Sequence, residues 1–510
     1  MRSPGRSSKF LEIAALAAVL EERRRNGSRI VLCHGVFDLL HVGHIRHFAE
    51  AKRQGDVLVV SLTHDQHVNK GPHRPAFDDT LRAEAVSALA DVDFVTISRS
   101  PTAVEVIQSL KPAVYVKGPD YRSASDDVTG AILQEETAVR EVGGTVYYTT
   151  AQTFSSSSLI NRHLPAFPQT TETFLARFRD RYDAKTVIGY LDALRELRVV
   201  VVGEAILDEY VYVDQMGKSS KDPVLAMRYD SKELFAGGSL AVANHVASFC
   251  GSVELVTYLG KNDPQESFVR AHLHPNVRAN FIYKSNSPTI VKRRYVEKTL
   301  LSKLFEIYFF NDDPLVSDDE ARFCELLGER IGESDAIVVA DFGHGLLTRK
   351  AIDVLAGCDG FLAVNTQVNA ANIRFHAISK YPRADFVCIN EAELRLDARS
   401  RHEPLPELVA GLRGRLACER VLVTRGSQGV AYYDEVGEVI CPALATKVLD
   451  RVGSGDAVLA ISSLCVAAGV PAEAVGFLAN VVGALKVQIV GNASAVDRTA
   501  AVKFVQALLK

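Results

Sequence analysis

The chain has eight cysteines (Cys33, Cys250, Cys324, Cys358, Cys388, Cys418, Cys441 and Cys465) but no C-x-x-C pair among them. That excludes the common zinc and dithiol arrangements, and scattered single cysteines fit small core residues of a reducing compartment. The formal net charge is only −4, so bulk electrostatics give no pull toward nucleic acid. No run is long and apolar enough to span a bilayer, which predicts no membrane role. Basic Met1–Lys9 followed by apolar Phe10–Leu20 imitates a secretion signal. Glu12 interrupts it, however, and Glu21-Glu22-Arg23-Arg24-Arg25 follows without a small-residue cleavage site. An amphipathic first helix and a cytoplasmic location are therefore expected. What is present is ordinary for globular protein, 47% hydrophobic and 24% charged over 510 residues, a length that predicts two domains.

The stretch Val31–Phe48, VLCHGVFDLLHVGHIRHF, organises the first of them. An apolar strand, Ile30-Val31-Leu32, turns at His34-Gly35 into a helical pattern that begins near His41. A strand feeding a helix start through glycine presents unpaired backbone N–H groups to an anionic phosphate. Two histidines three residues apart share one side of that turn, with Gly43 between them allowing close approach. Imidazoles so placed can donate to phosphate oxygens as charge builds up during displacement at phosphorus. Downstream, Asp56–Leu62, Phe94–Ile97 and Ala113–Lys117 read as buried strands, alternating with helices over Leu81–Ala90 and Ala103–Leu110. Such alternation implies a parallel α/β sheet with ligands at the carboxyl ends of its strands.

The ten residues Gly35–His44 resemble the HxGH signature of the cytidylyltransferase-like nucleotidyltransferases. The resemblance implies a Rossmann-like domain that transfers a nucleoside monophosphate to a phosphorylated small molecule and releases pyrophosphate, with His41 and His44 catalytic. It also implies nucleotide contacts from Val36, Phe37, Asp38 and Gly43. Lys70 in the basic loop Lys70–Pro75, Arg82 in Leu81-Arg82-Ala83-Glu84, and Lys117-Gly118 in Lys117-Gly118-Pro119-Asp120-Tyr121 extend the match. The last turn is similar to that of the heptose-phosphate adenylyltransferases and implies a substrate role for Asp120. Ser155, Ser156 and Ser157 resemble a hydroxyl-rich helix start that meets the triphosphate. The domain is expected over residues 9–165.

A Pro/Thr-rich break, Pro165–Thr171, and a charged helix over Thr173–Leu197 predict a linker at 166–197, with the second domain over 198–510. Its anchor is Val448–Ala457, where a glycine-rich turn opens an apolar helix over Ala457–Ala468. Backbone N–H groups of Gly453 to Asp456 can hold a γ-phosphoryl group, and Asp456 can accept the proton of an attacking hydroxyl. Gly453-Ser454-Gly455-Asp456 resembles the G-A-G-D motif of the PfkB, ribokinase-like carbohydrate kinases. That resemblance implies sugar contacts from Asp208, Gly237, Gly238 and Asn244. It implies nucleotide contacts from Thr424, Gly426 and Gly429 with the Gly453–Gly455 turn, and Mg²⁺ organised through water by Asn390 and Glu393.

Both modules together resemble the bifunctional heptose-7-phosphate kinase / heptose-1-phosphate adenylyltransferases, with the domain order reversed. Met216–Val224 and Lys292-Arg293-Arg294 fall in that family's substrate-phosphate region. The chain departs from it at His344 and Gln367, which replace lysines, and at Arg451-Val452, which replaces Thr-Thr. The resemblance implies phosphorylation of a sugar or sugar phosphate with Mg-ATP, then nucleotidyl (adenylyl) transfer to the sugar 1-phosphate. A separate phosphatase would act between the steps, and a homodimer is expected. The alternative is a cytidylyltransferase for a polyol or amino-alcohol phosphate, carrying a kinase-like sensing domain.

Overall fold

Ile30–Gly35 (β1) is buried along its first four residues because its neighbours cover both faces. The computed structural model describes residues 8–68, 75–119, 131–150, 167–373 and 375–509. By their internal contacts these fall into two units, residues 1–168 with 502–510 and residues 169–501.

In the first unit, β1 is joined by β2 (Val57–Thr63), β3 (Phe94–Ser98), β4 (Val114–Lys117) and β5 (Thr145–Tyr148) in the order β3-β2-β1-β4-β5. Every pairing is parallel. Near-continuous apolar strands such as VLVVSLT are what a sheet covered on both faces requires. Chain order reverses between β1 and β4, which opens a crevice at their carboxyl ends. Helix Val42–Lys52 starts at that end, and the expected first helix lies at Ile13–Arg25 with Leu16 and Leu20 buried.

The second unit begins with a correction. The single helix expected over Thr173–Leu197 is two, Gln169–Arg181 and Ala184–Ala193. Asp183 breaks them apart because its side chain accepts the Thr186 N–H at 2.7 Å and caps the new helix. Phe178 on the first of these helices stacks on Phe477, ring centroids 4.3 Å apart, so this segment packs as part of the second unit.

Its main sheet has nine strands: β6 (Arg198–Gly203), β9 (Ser252–Gly260), β10 (Val277–Lys284), β13 (Ala336–Asp341), β14 (Phe361–Thr366), β15 (Phe386–Asn390), β16 (Arg420–Thr424), β17 (Val430–Tyr433) and β18 (Glu438–Cys441). They run β10-β9-β6-β13-β14-β15-β16-β17-β18, parallel up to β16 and antiparallel after it. A second sheet of four strands, β7 (Ala205–Lys218), β8 (Leu225–Gly238), β11 (Ile290–Glu297) and β12 (Ser302–Phe309), has the order β12-β11-β7-β8. The glycine-rich turn opens helix Ser454–Ala467, three residues earlier than expected, and this helix is buried almost all round. A helix apolar on every side belongs inside a core. No described helix is long and apolar enough to cross a membrane.

Candidate functional site

The first site forms where β1 gives way to helix Val42–Lys52. His41 is the N-cap of that helix, and its Nδ1 accepts the Gly43 N–H at 3.1 Å. An accepting Nδ1 leaves the proton of the neutral ring on Nε2, so the donor faces away from the helix. His41 and His44 stack with centroids 3.9 Å apart, which joins the two expected catalytic residues in one pair. Burial lowers the His41 pKa, so the ring is neutral until an anion favours its charged form. Phe37, at φ +44°, packs edge-on to His44 and walls the pair.

Two of the expected nucleotide contacts also hold the frame of the site. Both carboxylate oxygens of Asp38 accept the Ala76 N–H, at 2.8 and 2.9 Å, so Asp38 pins the loop after β2. Arg82 is 1% exposed, and its guanidinium donates to the carbonyls of Val36 (2.6 Å), Thr63 (2.9 Å) and Phe77 (3.0 Å) and pairs with Asp65. It ties the ends of β1 and β2 to that loop and braces the site from beneath. Lys117 ends β4 at the crevice, where its Nζ pairs with Glu135 at 2.7 Å; Gly118 follows. The Tyr115 hydroxyl also donates to Glu135, at 3.0 Å. Burial pushes the Glu135 carboxyl up, but the Lys117 charge and hydrogen bond, with His34 and the Ala103 N–H, together outweigh it and leave the group below its ordinary range. His34, in β1, lies between the hydroxyls of Ser61 (3.1 Å) and Thr63 (3.3 Å), and burial lowers it to about 4. Nothing local marks Glu135 in the sequence: it lies on helix Ala131–Glu141, and its partner Lys117 ends strand β4. Lys70, Asp120, Ser155, Ser156 and Ser157 lie outside the described residues.

The second site centres on Asp456, in the first turn of helix Ser454–Ala467 and only 6% exposed. Burial raises its carboxyl to about 6. Gln367, which follows β14, donates from Nε2 to Asp456 Oδ1 at 2.6 Å. The residue that replaces a lysine therefore orients the carboxylate. Gly453 sits at φ +77°, and a Cβ there would lie 2.2 Å from Asn492 Oδ1, so glycine is required on both counts. The Ser454 hydroxyl, expected at the nucleotide, turns back to the Arg451 carbonyl at 2.9 Å. The Ser454 N–H also donates to the Arg451 carbonyl, at 3.2 Å, while a helix start ordinarily leaves other N–H groups of its first turn for an anion.

Asn390 and Glu393 form a capping box on helix Glu391–Asp397. The Glu393 carboxylate accepts from Val368 N (3.0 Å) and Asn390 N (3.2 Å), and burial raises it to about 7, with Asp456 adding to the rise. Among the described residues no cluster of three or more His, Cys, Asp or Glu could seat a bare metal ion. With the Glu393 oxygens already on backbone donors, the set fits an ion reached through water and held by phosphates. Asn390 Nδ2 also meets Thr424, 3.4 Å from its hydroxyl, so β15 and β16 end side by side. Gly426 and Gly429, both at positive φ, form the turn into β17.

Asp208 is 4% exposed, pairs with Arg294, and accepts from Asn492 Nδ2 at 3.1 Å. A Cβ on Gly237 would lie 2.1 Å from Asp208 Oδ2, which explains the Gly237-Gly238 step beside it. Asn244, expected at the sugar, braces a loop: its amide donates to the His272 carbonyl (2.9 Å) and accepts the His274 N–H (2.7 Å). Lys292 is buried, 5.5 Å from the Tyr308 ring centre and 5.8 Å from that of Phe342. His344, 1% exposed against Phe310, is lowered to about 3 by burial and stays neutral. Alternation along β11 sends Arg293 to the other face, where it pairs with Glu209.

Comparison with known proteins agrees with this architecture. Residues 32–163 match the cytidylyltransferase-like family model, and residues 196–498, more than half the chain, match that of the pfkB family carbohydrate kinases. The bifunctional protein HldE of Geobacter metallireducens is 37% identical over 163 residues, 31% of this chain and 32% of that protein. HldE of Koribacter versatilis is 28% identical over 302 residues, 58% of this chain and 60% of the relative. The chain thus spans from about a third to three fifths of these two relatives. In fold, phosphofructokinase-2 of Escherichia coli superimposes with a TM-score of 0.51 at 16% identity, covering 62% of this chain and 100% of its own. The α/β ribokinase-like fold, the family match and the Asp456 turn converge: this chain belongs to the pfkB family of carbohydrate kinases and carries a cytidylyltransferase-like domain ahead of the kinase.

Proposed function

We propose that the chain activates a sugar in two steps, with a kinase and a nucleotidyltransferase in one polypeptide. The observation that carries this is the presence of both chemical centres, the stacked His41/His44 pair at a strand switch point and the buried Asp456 turn. In the kinase step, the acceptor hydroxyl gives its proton to Asp456 while its oxygen attacks the γ-phosphorus of ATP. The β,γ-bridging bond breaks and ADP leaves. Gln367 holds the carboxylate for that transfer, and the backbone N–H groups at the helix start receive the phosphoryl oxygens. Asp208 meets the sugar, and Thr424, Gly426 and Gly429 line the nucleotide side. Mg²⁺, organised through water by Asn390 and Glu393, would supply neutralising charge on the phosphates.

In the second step, a phosphate oxygen of the sugar 1-phosphate attacks the α-phosphorus of ATP and pyrophosphate leaves. His41 Nε2–H and His44 stabilise the charge that builds on the α-phosphate, with Lys117 available at the crevice. The relatives named HldE support a heptose 7-phosphate-like acceptor and an ADP-heptose-like product. Small-molecule sugar phosphate and nucleotide partners, a separate phosphatase between the steps and a homodimer belong to the same proposal.

The test is pyrophosphate release with each of the four NTPs and D-glycero-D-manno-heptose 1-phosphate in both anomeric forms. Release with ATP alone, lost in His41→Ala, is the expected result; release with CTP alone would overturn it. A second reading, cytidylyl transfer to a polyol or amino-alcohol phosphate beside a sensing kinase-like domain, rests on His344 and Gln367 standing where lysines are expected. Under that reading Asp456→Asn leaves ATP consumption unchanged across a sugar panel.

A further inference from the structure

Lys486, on helix Ala472–Lys486, is 0% exposed, although lysine is almost never fully buried without a paired charge. Among the described residues no carboxylate forms an ion pair with it. Its Nζ donates instead to two main-chain carbonyls, Val452 (2.8 Å) and Gly491 (2.6 Å). Val452 immediately precedes Gly453, and a Cβ on Gly453 would come within 3.1 Å of Lys486 Cε. The ammonium therefore lies directly against the glycine turn that opens helix Ser454–Ala467. Asp456, Asp450 and Asp208 surround it at longer range, with Lys303 and His245 also within its field. Burial pulls the Lys486 pKa down and the three carboxylates oppose it. Asp450 completes the lattice: it accepts from Val452 N (3.1 Å), Gly491 N (2.8 Å) and the Tyr210 hydroxyl (2.6 Å). The same two residues thus present carbonyls to Lys486 and N–H groups to Asp450.

We infer that Lys486 is a positioning residue for phosphoryl transfer, a resident cation that fixes the Val452–Asp456 turn and supplies positive charge beneath the phosphoryl group. Drawing the Val452 carbonyl inward turns the Gly453 N–H of the same trans peptide the opposite way, which is the orientation an anion needs. A peptide turn alone would present dipoles; the ammonium adds a full charge in a water-poor site, where it acts at greater strength than in solvent. The cost of burying a lysine on two carbonyls is hard to explain by packing, since an apolar side chain of the same length would fill that space without it.

This rests on the kinase reading, so the experiment separates the two. ADP formation from Mg-ATP and D-glycero-D-manno-heptose 7-phosphate is measured for wild type, Lys486→Met and Lys486→Ala, the last with and without methylammonium or ethylammonium. We expect Lys486→Met to lose about 10²-fold in kcat, the scale of removing one anion-hole donor, with little change in acceptor KM. Lys486→Ala should recover in a saturable way with an alkylammonium ion small enough to reach the two carbonyls, which a merely structural lysine would not show. In parallel, calorimetry compares ATP with ADP affinity, a readout that needs no acceptor. Wild type should favour ATP, and Lys486→Met should close that gap. An unchanged gap in a folded Lys486→Met protein, no wild-type gap, or full kcat in the variant overturns the inference. A wild type that turns over no heptose 7-phosphate yet keeps a Lys486-dependent gap sinks the heptose acceptor of the kinase reading and leaves the role of Lys486 at the triphosphate standing.

Discussion

The two sites treat their key groups in opposite ways. His41 and His44 sit half-buried on the lip of a helix, and the His41 proton is placed by one backbone hydrogen bond to Nδ1. Asp456 is sealed in, 6% exposed, and its state is set by burial, then by one amide donor and the Asp208 charge, with Lys486 and Lys292 opposing the rise. Displacement at phosphorus by a phosphate oxygen needs no proton removed, so donors at an open crevice suffice. Phosphorylating a hydroxyl does need a base, and burial raises the Asp456 carboxyl toward the pH at which such a base works best.

The sharpest way to break this comparison is to silence each centre alone. Asp456→Asn should cost the kinase ~10²–10⁴-fold, measured as ADP formed, and leave pyrophosphate release from heptose 1-phosphate untouched. His41→Ala should do the reverse, lowering pyrophosphate release by ~10²–10³-fold with kinase turnover intact. A loss of both activities in either variant would show that the sites are not separate machines.

Smaller effects test how each group is held. Gln367→Ala removes a donor that favours the ionised Asp456, so its pKa should rise above about 6 and the acid limb of the kcat/KM profile should move to higher pH. At pH 7 the loss should be about tenfold, the scale of a hydrogen bond to a charged group. An acid limb that stays in place would mean that Gln367 does not hold the base. Smaller still for catalysis is Glu135→Gln, which leaves the half-buried chemistry alone but breaks the Lys117 pair. Because Glu135 lies below its ordinary range when folded, its contribution is present above the unfolded pKa and lost as pH falls through the folded one. The wild-type stability advantage over Glu135→Gln in urea titrations should therefore be full near neutral pH and shrink in acid.

Much of this was legible in the chain. The strand–turn–helix around His41 and the Gly453–Asp456 turn are local, so adjacent residues spell them out. What was not legible depends on partners far along the sequence. Asp38 and Arg82 look like ligand contacts in a motif, and their bonds to Ala76, Val36 and Thr63 emerge only once the strands are side by side. Asn244 follows a glycine pair as a sugar contact would, yet a loop near residue 272 captures its amide. Gln367 read as a lost cation because its role appears only when β14 and helix Ser454–Ala467 are neighbours. Lys486 carried no signal at all, since a lysine ending an apolar helix ordinarily points to water.

Asn492 reaches back 284 residues to Asp208. During synthesis, the His41/His44 turn has all its residues once helix Val42–Lys52 has left the ribosome, whereas the Asp208 end of the second unit must wait for residue 492. The two centres therefore mature at very different moments. A nascent chain stalled near residue 480 would already hold the complete HxGH turn while Asp208 still lacked its last partner.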